Sequence, residues 1–228
     1  MNLYTVGHSN QSIDDFLYLI KETRINCILD IRSVPYSKHT PQFNKENIQK
    51  YLKQNNIIYA HFGEEFGARR DDCLVEHKFS KNGKLEYKEQ VDFVLGCKTE
   101  NFQKGVKRLE KALSQGLKVA LMCSESNPIE CHRFSFISRY FYDKGWTINH
   151  IIRNNSDEII ELTHQEIEKE MINEYIRRGK LSIADGQGQQ MLFPLDYSIE
   201  EQRIDAYKLK NLEIGYCISD SVNENFID

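Results

Sequence analysis

The sequence predicts an α/β fold: a single domain over residues 1–180 with a mostly parallel central sheet flanked by helices on both faces, then a linker and acidic C-terminal tail over 181–228. Three observations predict it. Short apolar runs alternate with longer segments of helical period. Two of those runs, 27–31 and 117–123, are apolar at nearly every position, as parallel strands covered on both faces are. The composition, 40% hydrophobic and 28% charged over 228 residues, supplies a core for one globular domain.

Taken in order, residues 3–6 read as the first strand, and Gly7-His8-Ser9-Asn10 as the turn that ends it. Ser12 caps a helix with Asp15 three residues on, and Phe16, Leu17, Ile20 and Ile25 fall on one face. Run 27–31 is the second strand, and Arg32-Ser33-Val34-Pro35 is its loop because proline stops the ladder. Asn44 caps a helix that runs to about Gln54, and 57–62 is the next strand. Residues 63–85, rich in charge, read as an irregular insert. Helical pattern returns over 87–115, broken near Thr99 and closed by Gly116.

The strand at 117–123 runs into the loop Cys123-Ser124-Glu125-Ser126-Asn127-Pro128-Ile129-Glu130-Cys131-His132-Arg133. A helix follows from about His132 to Gly145, with Phe134, Ile137, Ser138 and Phe141 at helical spacing. A last strand at 146–152 and a final helix at 163–178 complete the alternation. Ala184-Asp185-Gly186-Gln187-Gly188 is a flexible connector, and 189–228 is weakly patterned.

Charge and cysteine usage narrow the function classes. A formal net charge of −4 gives no global positive field for nucleic acid, and Arg69-Arg70 with nearby lysines is the one modest basic patch. No run approaches the roughly 20 apolar residues of a membrane span. The N-terminal residues show no basic stretch followed by an apolar run, so a cytoplasmic protein without a membrane partner is expected. Six scattered cysteines read as free thiols in a reducing compartment.

Ligands of parallel sheets bind outside the carboxyl ends of the strands, and two loops there carry unusual residues. The loop opened by Cys123 joins a buried strand to a helix N-terminus, where free N–H groups favour an anion and a lowered thiol pKa. Arg133 can fork two hydrogen bonds onto an oxyanion, and His132 can transfer protons near neutral pH. Arg32 is expected at the mouth of the site with Asp30 as its internal anchor, and His8 as a third wall. Cys123 serves equally as a small core residue, and Cys131 and His132 as packing and capping groups. Cys123, Cys131 and His132 are also zinc-type ligands, with Cys73 and His77 elsewhere, but their separations do not match the tight cysteine pairs of structural zinc sites.

Tyr4-Thr5-Val6-Gly7-His8-Ser9, Asp30-Ile31-Arg32-Ser33-Val34-Pro35-Tyr36-Ser37, Pro41-Gln42-Phe43-Asn44 and Cys123-Ser124-Glu125 with Cys131-His132-Arg133 resemble, in the same order, the bacterial family called domain of unknown function 488. Tyr59-Ala60-His61-Phe62-Gly63-Glu64 and Phe66-Gly67-Ala68-Arg69 look like two further stretches of it, with Ala68 where a second glycine is usual. More distantly, Asp30-Ile31-Arg32 and the strand running into Cys123 are similar to rhodanese-like domains, whose cysteine loop is shorter. Gln189-Gln190-Met191-Leu192-Phe193 is similar to the peptide with which DNA-metabolism proteins dock on the sliding clamp, through Gln189, Leu192 and Phe193.

The leading expectation is a cysteine-dependent enzyme, a hydrolase or transferase, for a small anionic or nucleotide-like substrate. Cys123 is its nucleophile, and His132 or His8 its proton carrier. Arg32, Arg133, Glu125, Cys131, Ser37 and Arg69 are the expected substrate contacts, with no cofactor or metal. The alternatives are a non-catalytic nucleotide or nucleic-acid module tied to DNA repair, and a zinc-stabilised structural domain.

Overall fold

The computed structural model describes residues 1–81, 84–154, 156–184 and 197–218. Gln189 to Phe193, the sequence similar to a clamp-docking peptide, lies outside the described residues.

The apolar runs become a six-stranded sheet. β1 (Asn2–Gly7), β2 (Cys27–Asp30), β3 (Ile58–His61), β6 (Val119–Cys123), β7 (Thr147–Arg153) and β8 (Ile159–Thr163) stand in the order β3-β2-β6-β1-β7-β8. All pairs are parallel except β7 with β8. Alternating side chains feed two cores. Val119 and Leu121 join Leu3, Leu29 and Phe102 on one face. Ala120 and Met122 join Val6, Ile28 and Phe16 on the other. The mostly parallel α/β sheet, covered on both faces, is the architecture the run pattern predicts.

Helices α1 (Ile13–Glu22) and α2 (Lys45–Gln54) cover the second face. α3 (Gly63–Phe66), α4 (Phe93–Gly96), α5 (Glu100–Ser114) and α6 (Arg139–Tyr142) contribute to the first. Ser12 caps α1 by accepting the Asp15 amide, as its spacing predicts. Asn44 makes no such side-chain cap; its Oδ1 accepts the Ser37 N–H at 2.7 Å and ties down the loop after β2.

Four segments depart from the sequence reading. The insert at 63–85 is not wholly irregular: α3 lies within it, and Leu74–Lys81 is β4, which pairs antiparallel with β5 (Lys84–Val91) as a separate hairpin. Residues 87–91 are therefore strand rather than helix, and the helix proper starts at α5, where Thr99 accepts the Phe102 amide. The lysines and glutamates of this stretch suit an exposed helix on propensity, but hairpin pairing overrides it. β8 was hidden because its apolar residues, Ile159, Ile160 and Leu162, form a short run broken by Glu161. The helix after His132 opens with a wide π-helical turn, Arg133–Ser138, before α6.

The tail holds the fourth departure. α7 (His164–Arg177), opened by a capping box at Thr163, is not the last helix; α8 (Ile199–Ile214) packs against it. The buried face of α8 includes Gln202, Ala206, Tyr207 and Lys210, so it shows no apolar stripe. Polar bonds hold it instead: Gln202 Nε2 donates to the Ser182 carbonyl at 2.7 Å, and Tyr207 Oη donates to Glu168 at 2.7 Å. His164 Nε2 lies 2.9 Å from that hydroxyl, His164 Nδ1 lies 3.2 Å from His150 Nε2, and His150 Nδ1 lies 2.8 Å from Thr5 Oγ1. A buried chain of polar groups thus links the central strand to α8.

That chain sets a pH dependence. Burial, then His164, presses His150 well below its ordinary value; burial, then Arg203, presses His164 to about 3. Burial and Arg32 press His8 to about 4. Each imidazole is neutral when folded, whereas in the unfolded chain it takes a proton below about 6.5. The unfolded state then binds more protons, so stability present above pH 6.5 is lost as pH falls toward these depressed values. Urea denaturation should show a loss of about 2 kcal/mol per histidine between pH 6.5 and pH 5. His164→Gln should flatten the slope by roughly a third. A wild-type profile flat across that window would contradict the assignment.

Candidate functional site

The strand order puts the carboxyl ends of β2, β6 and β1 side by side, with Asp30 opposite Met122 and Gly7 opposite Cys123. Pairing continues past the ends: the His8 amide donates to the Cys123 carbonyl at 2.9 Å, and the Ser9 amide to the Ser124 carbonyl at 2.7 Å. The turn after β1 is thereby stitched to the loop opened by Cys123. Gly7 is required here by close approach, since a Cβ would land on the Glu125 carbonyl oxygen.

A cavity of about 410 Å³ opens at this edge, lined by Arg32, Ser33, Val34, Tyr36, Ala68, Arg69, Cys123, Ser124 and His132. Four of the expected residues therefore meet in one place: Arg32, Arg69, Cys123 and His132. The lining contributed by Ser33, Val34 and Tyr36 was missed as such, although Pro35 among them marks a rigid, exposed turn.

Arg32 is set by a dense network. Its Nε donates to Asp30 Oδ1 at 2.8 Å and its Nη2 to Asp30 Oδ2 at 2.6 Å, the anchoring role expected of Asp30. Nη2 also donates to the Phe43 carbonyl at 2.8 Å, and Tyr59 Oη donates to Asp30 Oδ2 at 2.9 Å. Burial, then Asp30, pushes the Tyr59 phenol up, so it stays a donor. His8 is not a wall of the cavity. Its ring stacks on Phe43 at 4.2 Å, Nδ1 donates to the Ser9 carbonyl at 2.7 Å, and Nε2 accepts Arg32 Nη1 at 3.0 Å. With both nitrogens committed, His8 positions Arg32 rather than carrying protons.

Other expected contacts also take structural roles. Arg133 is fully buried, and its guanidinium turns back on its own loop, donating to the carbonyls of Glu125 and, at 2.7 Å, Ser126. It shapes the loop rather than gripping a ligand in the cavity. Glu125 contributes that carbonyl, with its side chain exposed outside the lining. Ser37 Oγ accepts the amides of His39 and Thr40, at 3.1 and 3.3 Å, within a turn away from the lining. Arg69 stands exposed at the rim with its guanidinium 5.4 Å from the centre of the Tyr216 ring, and its amide donates to Ser33 Oγ at 2.9 Å.

The floor is a cluster of sulfur and nitrogen. Cys123 Sγ and Cys131 Sγ each lie 3.8 Å from His132 Nδ1, and the three atoms lie within 4.8 Å of one another. The Arg133 amide donates to Cys131 Sγ at 3.4 Å, and His132 Nε2 lies 3.3 Å from the Ile31 carbonyl. The hydrogen bond with Cys131, then burial, pushes the Cys123 thiol well up. Burial also opposes ionisation of Cys131, but Cys123, Arg133 and His132 outweigh it and hold that thiol well below its ordinary value. Of the two, Cys131 is the thiol whose surroundings favour the charged form. Cys27, Cys73 and Cys97 show the contrast, pushed up by burial to about 11, 12 and 12.

Asp30→Asn would leave Arg32 buried without its counter-charge, and should cost about 3–5 kcal/mol in denaturant unfolding. Replacing both, Asp30→Asn with Arg32→Met, should cost less than the single change. A single-variant cost under 1 kcal/mol would show that the pair does not set Arg32.

Among the described residues no helix is long and apolar enough to cross a membrane. Nothing among the curated proteins or the solved structures matches the chain. A family model does match, over residues 12–140, more than half the chain, from α1 through the site loop into α6. It therefore belongs to the family described as Domain of unknown function DUF488.

Proposed function

We propose that the protein is a cysteine-dependent enzyme for a small anionic or nucleotide-like substrate, held between Arg32 and Arg69 above the floor of Cys123 and His132. The supporting observation is the convergence of two guanidinium side chains, a thiol and an imidazole on one cavity at the carboxyl edge of a parallel sheet. Its volume of about 410 Å³ lies in the range that encloses small molecules.

The two arginines have different work to do. Arg32 is neutralised by Asp30 and rigidly held, with most of its N–H groups committed, so it offers one directed Nη1 donor rather than net charge. Arg69, exposed at the rim, is the cation an incoming anion would meet first. The reactive centre is the trio Cys123, Cys131 and His132, not Cys123 alone, because the two sulfurs share one imidazole nitrogen. Cys27, Cys73, Cys97, Cys123 and Cys131 carry their sulfurs as thiols rather than in disulfides, which suits a reducing compartment such as the cytoplasm.

Inorganic phosphate or a nucleoside monophosphate should raise Tm above that in chloride of equal ionic strength, by about 2.7 kcal/mol of stabilisation at 100 times Kd. Arg69→Ala should remove most of that rise. Among the anionic esters that bind, turnover should fall 100-fold or so in Cys123→Ser with the Tm response kept. If no anion stabilises beyond chloride, the cavity is not an anion site.

A further inference from the structure

We propose that Cys123, Cys131 and His132 form a binding site for one zinc-type divalent cation, with an open coordination position facing the cavity. The inference rests on the reading of that cavity as the substrate site, and names the cofactor it would use.

Distances come first. Zinc bonds of about 2.3 Å to sulfur and 2.0–2.1 Å to nitrogen in a tetrahedron place sulfur and nitrogen ligands roughly 3.6 Å apart. The two sulfur–nitrogen separations are 3.8 Å, so a cation would close each of these pairs by only a few tenths of an ångström, and the two sulfurs already lie within 4.8 Å of each other. Two thiolates and an imidazole are a donor set suited to zinc.

Of the two neutral tautomers of His132, its surroundings favour the one that a metal site needs. His132 Nε2 faces the Ile31 carbonyl at 3.3 Å, so a neutral ring carries its proton there and aims the Nδ1 lone pair at both sulfurs. A ligating histidine is held in this way, its other N–H on a carbonyl. A neutral ring donating from Nδ1 to sulfur would instead turn a nitrogen lone pair toward a carbonyl oxygen. The Arg133 amide on Cys131 Sγ adds a donor of the kind that steadies a thiolate.

The ligand count and placement fix the kind of site. Three protein ligands with a fourth position left over are the arrangement of catalytic rather than structural zinc. Cys123 and His132 line the cavity while Cys131 does not, so the open side gives onto the cavity, where a water or a substrate oxygen can bind. On ligation each thiol releases its proton to solvent, and affinity should rise with pH.

The test uses the full chain purified without chelator. Elemental analysis should find about one zinc per chain. Chelator-stripped protein should take up one Co(II) with the intense visible and sulfur charge-transfer bands of a tetrahedral thiolate site, and should strip zinc from a chromophoric chelator at one equivalent. Cys131→Ser and His132→Gln should each weaken zinc binding roughly 100-fold or more. Wild-type protein that cannot compete with the chelator, a readout that needs no variant, would overturn the site. So would uptake unchanged in a Cys123→Ser, Cys131→Ser double variant. Phosphate should shift the cobalt bands, and Arg69→Ala should suppress the shift. Tetrahedral cobalt indifferent to phosphate would uphold the metal site and count against the anion cavity.

Discussion

The guanidinium of Arg133 is the constraint around which the site is arranged. It is buried completely, and its Nη1 and Nη2 donate to the Glu125 and Ser126 carbonyls of its own loop while its Nε is left without a partner. A buried cation is costly unless its hydrogen bonds are met, so these carbonyls cannot drift away without exposing that cost. Gly7 closes the loop from the other side, because only a residue without Cβ lets the Glu125 carbonyl come so near β1. Between strut and glycine, the chain from Cys123 to Cys131 is bent back far enough for both sulfurs to reach one imidazole nitrogen.

This explains what the sequence could and could not disclose. The sheet was legible because strands buried on both faces have to be apolar throughout, as Val119–Cys123 is. The location of the site was legible too, since parallel strands deliver their loops to one edge. The direction of a side chain was not. Arg133 closing a cysteine loop reads as an anion grip, yet whether a guanidinium faces a cavity or its own carbonyls depends on packing that no local pattern encodes. His8 is a similar case: a turn histidine whose stacking on Phe43 and bond to Arg32 span more than twenty residues.

α8 was hidden for a different reason. A helix announces itself by an apolar stripe, but α8 docks with Gln202, Tyr207 and Lys210, each donating to a partner distant in sequence or on its own helix. The β4–β5 hairpin escaped because its lysine and glutamate content favours a helix until cross-strand pairing decides otherwise. In both, tertiary polar contacts did what local hydrophobicity does elsewhere in the chain.

Burial alone does not tell a working thiol from a packing one here. Cys27 and Cys123 are almost equally inaccessible and belong to the same apolar core, yet Cys123 shares His132 with a second cysteine. Two sulfurs in a low-dielectric interior cannot both become anions side by side, because each penalises the other. Either one proton stays between them or a cation takes its place. The proton needs no imidazole lone pair turned toward it, whereas a cation does, and the lone pair of His132 is held in that direction by the carbonyl of Ile31 on the neighbouring strand end. The backbone at the end of β2 therefore bears on the chemistry at the end of β6, which is why the adjacency of those two strands matters beyond the sheet they build.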